Sequence, residues 1–163
     1  MTDFEWPNPL VPDLPRVELG ATLAEWREMA VPGTICAWVG PEAGSRVRSN
    51  ITVTVQRRPG RESDWAADRK ALNGVLQAIP GIAFLGVDES TDEASRRFLV
   101  QYEFGDEERG QIRQVVLLAS LVCGDVSDLV QITGTTAADD GPGDASSVLT
   151  AVSLAKITPR LPD

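Results

Sequence analysis

Residues 50–56 read Asn-Ile-Thr-Val-Thr-Val-Gln. Ile51, Val53 and Val55 fall on one side and Thr52, Thr54 and Gln56 on the other, the period-two pattern of a half-buried strand. Arg57-Arg58-Pro59-Gly60-Arg61 follows as a loop. Ser63 or Asp64 then caps a helix over 64–78, with Trp65, Leu72, Val75, Leu76 and Ile79 as its apolar stripe. Pro80-Gly81 stops it. Four strand-like runs come next, at 82–87, 95–104, 111–122 and 126–135. The turns between them are the acidic stretch Asp88 to Ala94, Gly105 to Gly110, and Gly124-Asp125. The run at 95–104 puts Phe98, Val100, Tyr102 and Phe104 on one face. From Val115 to Val122 the chain is almost continuously apolar, as a strand covered on both faces must be. A helix over 144–156 carries Val148, Ala151, Val152 and Ala155. With a strand at Ile35 to Val39, the count is about six. Strands joined by short turns pair antiparallel, so the class is α+β: one antiparallel sheet flanked by helices. Leu72, Val75 and Leu76 are expected to pack against Val53, Phe98 and Val100.

Upstream of this block the pattern is less regular. Pro7, Pro9, Pro12 and Pro15 make residues 1–20 an extended segment. Its Phe4, Trp6, Leu10, Val11 and Leu14 suit a chain laid along a surface. Thr22 to Ala30 reads as a short helix: Thr22 caps it, Glu25 completes a capping box, and Leu23, Trp26 and Ala30 share a side. Pro32-Gly33 ends it. Neither a linker nor an internal repeat divides the chain, so residues 1–163 are expected to form a single domain.

Composition narrows the chemistry. A chain of 163 residues buries roughly 68–70% of its unfolded surface and needs no metal or disulfide to fold. There are no histidines, which removes the usual general base, the Ser-His and Cys-His couples and the commonest zinc ligand. Neither a phosphate-cradling glycine motif nor a Gly-x-Ser-x-Gly elbow is present. No catalytic residue, metal or cofactor is assigned. A net charge of −9 disfavours nucleic acid and anionic membranes as partners. Cys36 and Cys123 each lie in an apolar run and read as buried free thiols, with one structural disulfide as the alternative. The N-terminal Met-Thr-Asp-Phe-Glu-Trp lacks a basic and an apolar leader region, and no apolar run reaches 18 residues. The expectation is a cytoplasmic protein without a transmembrane segment.

Few residues stand out as candidates for a ligand or partner surface. Arg57, Arg58 and Arg61 precede a helix N-terminus, where backbone N–H groups favour an anion; the plainer reading is a solvated loop. Asp92 and Glu93, at an acidic turn, suit a basic or mixed-charge protein partner, acting mainly on association rate. Asp139, Asp140 and Asp144 lack calcium-loop spacing and read as a turn and helix cap. Among the tryptophans, Trp65 and Trp38 sit in apolar patterns and read as core. Trp6 and Trp26 lie in the least regular region and are the better candidates for a ligand or partner.

Asn50-Ile51-Thr52-Val53-Thr54-Val55, the amphipathic helix after it, and Ile79-Pro80-Gly81-Ile82 with its strand together resemble the LpqN/LpqT-type proteins of actinobacteria. Thr22-Leu23-Ala24-Glu25-Trp26 is also similar to their early short helix. The resemblance covers the element order of residues 22–156 and implies the Mog1/PsbP-like fold. Domains of that fold are mostly binding modules: one binds a small GTPase, others assist a photosystem, others are envelope lipoproteins. The resemblance carries over no catalytic residue. The leading functional expectation is therefore a non-enzymatic protein-binding or accessory module. The alternative is a small-molecule or lipid carrier with a pocket near the N-terminal segment.

Overall fold

A computed structural model describes residues 14–159, apart from 22, 24, 42–46, 61–63, 92–94 and 139–140. The elements run β1 (Arg16–Glu18), β2 (Arg27–Met29), β3 (Cys36–Val39), β4 (Asn50–Pro59), α1 (Trp65–Gln77), β5 (Ala83–Thr91), β6 (Ser95–Asp106), β7 (Gly110–Cys123), β8 (Val126–Ala137), α2 (Gly141–Ser153) and β9 (Lys156–Thr158). A seven-stranded sheet has the order β2-β3-β4-β8-β7-β6-β5, antiparallel at every pairing. β1 and β9 form a separate antiparallel ribbon. The expected antiparallel α+β architecture is present.

Register follows from the apolar alternation. Val53 lies opposite Ile132, and Ile132 opposite Leu117, so these three share a face. α2 covers that face, packing Val148, Ala151 and Val152 onto them, with Ala155 just beyond its end. One residue along, Val100 lies opposite Val116 and Phe98 opposite Leu118. α1 covers this second face with Trp65, Leu72 and Leu76. β7 is therefore sandwiched, which is why its sequence is apolar at successive positions. Asp64 caps α1, its carboxylate accepting the Ala67 N–H at 3.0 Å. The β1/β9 ribbon adds Val17 and Ile157 to the α2 side. Gly20 donates to Ala151 O at 2.8 Å, and a Cβ on it would lie 2.4 Å from Leu154 Cβ; no larger residue lets the chain cross α2 so closely.

Several sequence-based expectations are corrected. The sheet has seven strands, not six, because the segment read as a helix at Thr22–Ala30 contributes β2. Glu25 has φ +66°, which a helix does not accommodate. Pro32-Gly33 closes a hairpin to β3 through a left-handed Gly33 (φ +82°) instead of ending a helix. Cross-strand pairing outweighs a local capping signal here; Thr22 itself lies outside the described residues. β5 runs on through Asp88–Thr91, residues expected in the following turn, because each pairs with β6. The last helix occupies 141–153 instead of 144–156, and Lys156 starts β9. Val75 is 67% exposed, and Val53 lies on the opposite face from α1. The helical stripe was read one residue too wide, and parity across the sheet separates Val53 from Phe98.

Leu76 is 2% exposed in the α1 core and Val75 is not in it. Leu76→Ala should therefore cost about 2–5 kcal/mol in chemical denaturation. Val75→Ala should stay within about 0.5 kcal/mol of the parent protein. Equal losses from the two substitutions would contradict this orientation of α1.

Candidate functional site

The adjacent arginines of β4 point to opposite faces, as period two requires, so they cannot form one patch. On the α2 side, Arg57 forks onto Asp128, Nε to Oδ1 at 2.8 Å and a terminal nitrogen to Oδ2 at 2.9 Å. The Asp128 side chain is fully buried. On the α1 side, Arg58 forks onto Asp68, both bonds 2.8 Å, and these hydrogen bonds raise the guanidinium pKa still further. Both pairs tie β4 to its neighbours in the scaffold. Arg61 lies outside the described residues, as do Trp6, Asp92 and Glu93.

Trp26 is half-buried and lines an open cleft of about 450 Å³ with Leu19, Ala21, Leu23, Glu28 and Trp38. The hairpin of β2 and β3 builds it. Glu28 is directly opposite Trp38, a pairing that brings Cβ atoms to about 4.5–5.5 Å. Trp26 precedes Glu28 by two residues, and Cys36 precedes Trp38 by two. Leu19, Ala21 and Leu23 line its other side, and Leu19, Leu23, Trp26 and Trp38 all pack on the α2-side core. Gly40 leaves room for the Trp26 indole: a Cβ there would sit 3.1 Å from its Cε2. On the same sheet face as Trp38 the Cys36 thiol is free, and burial, then the Glu28 charge, push its pKa up to about 12. Trp26 was legible as a candidate; Trp38, read as core, is half-buried at the cleft wall. Glu28 was missed, although reading Trp26–Ala30 as alternating and Pro32-Gly33 as a hairpin turn would have found it.

A second feature lies at the far end of the sheet. All nine residues of β5 are exposed, including Phe84 (45%), Leu85 (48%) and Val87 (61%). Among the described residues β5 pairs only with β6, and none of them covers its outer edge as a further strand. A bulge displaces Leu85, but Gly86–Thr91 is a regular ladder. Glu89 accepts from the Trp65 indole at 3.2 Å and pairs with Arg69 at 3.1 Å. Further up the α1 face, the buried Tyr102 hydroxyl donates to Gln114 Oε1 at 2.6 Å, and Gln114 Nε2 donates to Thr135 Oγ1 at 3.0 Å. Burial pushes the Tyr102 pKa up to about 12.

No family model and no curated protein sequence matches the chain. Its structure is similar to LpqN, involved in cell envelope biogenesis of Mycobacterium tuberculosis, with TM-score 0.71 and 13% identity over 98% of this chain and 89% of that one. It is also similar to cyanobacterial PsbP from Synechocystis, with TM-score 0.52 and 13% identity over 92% and 96% of the respective chains. The fold is thus LpqN-like and PsbP-like.

Cys36 and Tyr102 set an alkaline limit on stability. Each is neutral when protonated, and burial raises each folded pKa above its ordinary value, from 9.0 and 10.0 to about 12. Unfolding frees them to ionise, so their contribution is complete below about pH 9 and is lost as pH climbs towards 12. Denaturant midpoints followed across that range should fall. Cys36→Ala should remove the part of the decline that begins near 9.0, and Tyr102→Phe the part that begins near 10.0. An unchanged slope in both variants would contradict the burial of these groups.

Proposed function

We propose that the protein is a non-enzymatic partner-binding module that engages an extended segment of another protein along the outer edge of β5. The observation that carries this reading is the contrast between filled cores and an open apolar edge. Ile51, Leu117, Ile132, Val148 and Val152 are each no more than 2% exposed. Phe84, Leu85 and Val87 are left to water on a nine-residue edge strand. Proteins normally blunt such an edge with proline, lysine or a covering element, because its unpaired N–H and C=O groups template strand addition. β5 contains neither proline nor lysine. An added strand supplies affinity through main-chain hydrogen bonds and specificity through alternate side chains. Asp88 pairs with no cation among the described residues, which favours a basic or mixed-charge partner.

A photo-crosslinking residue at Val87 tests this reading in the native cell. It should give a discrete adduct with another protein, whereas the same residue at Thr54, exposed on β4, should not. The double substitution Leu85→Lys and Val87→Lys should abolish the partner's capture while leaving the thermal midpoint within a few degrees, since both side chains are exposed. Adducts of equal yield at both positions, or capture that survives the double substitution, would refute it.

A further inference from the structure

We propose that the cleft between Trp26 and Trp38 binds an organic ammonium cation, its charge facing Glu28 and its alkyl groups against the two indoles. This inference is independent of the β5 edge, which lies at the opposite end of the sheet. Three observations meet at one place. The first is register: Glu28 lies directly opposite Trp38 and two residues from Trp26, so one carboxylate shares a cleft with two indole side chains. The second is charge. Among the described residues Glu28 has no salt-bridge or hydrogen-bond partner, although Arg27 is its neighbour in sequence; alternation sends Arg27 to the other face. The third is shape. Leu19, Ala21 and Leu23 line an open cleft of about 450 Å³ together with the two indoles and the carboxylate.

That combination selects the ligand class. A tryptophan face attracts a cation through its quadrupole, most strongly when the cation is weakly hydrated. A carboxylate supplies the compensating charge. A hard metal ion needs six or more oxygen ligands, and the lining residues offer one carboxylate. An anion would meet Glu28 and a chain of net charge −9. A neutral apolar ligand would bury the carboxylate without a partner.

Isothermal titration and tryptophan emission, at constant ionic strength, test this with four probes. Choline supplies the free cation and glycerophosphocholine the same group as a lipid head group. Its neutral carbon isostere 3,3-dimethylbutan-1-ol has the shape without the charge, and sodium chloride is the blank. Saturable binding of choline or glycerophosphocholine is expected, the stronger of the two identifying the source of the cation. The isostere should bind about ten-fold more weakly or not at all. Glu28→Gln, with its fold checked by circular dichroism, should weaken the cation about ten-fold and leave the isostere unchanged. Trp38→Phe should reduce the emission change. Absence of saturable binding by either cation, or equal binding of cation and isostere, would overturn the proposal. Retention of cation affinity in a folded Glu28→Gln protein would overturn it too.

Discussion

Two-sided burial of β7 is the constraint from which the rest of this structure follows. Val115, Leu117, Ala119 and Leu121 meet α2, while Val116 and Leu118 meet α1. A strand in that position cannot slip by one residue without exchanging its two apolar sets, so its register is fixed from both faces. β6 and β8 inherit their register from it. The helices are held to the sheet by the same residues. α2 packs tightly at Gly134, where an added Cβ would lie 2.5 Å from Val148 Cγ1. A mid-strand glycine normally weakens a sheet. Here it is what lets Val148 rest on the backbone.

Polar pairs fasten the margins of this core. The Arg57–Asp128 fork sits at the α2 face with the carboxylate fully buried. Removing one member of such a pair strands a charge, whereas the intact pair adds little net stability. Its role is therefore to specify how β4 meets β8. Arg58 and Asp68 do the same for the start of α1. This use of the arginines leaves the chain's exposed features at the two ends of the sheet. One is an apolar edge on β5; the other is a cleft beside β2 and β3. Both occur where the sheet runs out of neighbours.

By itself the amino-acid sequence determined the elements in which local pattern and tertiary environment agree. Residues 50–56 alternate because one side of β4 is buried and the other is not. The run at 115–122 is apolar because both sides of β7 are buried. The order of strands and helices after Asn50, and the antiparallel class, follow from these and from the turn residues between them.

Only the tertiary structure decided what depended on a distant partner. The segment containing Trp26 has a helix-like spacing and a capping signal, yet pairing with β3 makes Arg27–Met29 a strand and brings Glu28 opposite Trp38. Whether an apolar side chain is buried was likewise not a local property. Leu76 and Val75 are neighbours on one helix, but only Leu76 faces Phe98 and Val100. Phe84, Leu85 and Val87 fall in a run that reads simply as a strand, and their exposure arises because β5 ends the sheet. Period and propensity report a residue's neighbours along the chain. Burial and edge position are set by which elements stop short, and that information exists only once the sheet is assembled.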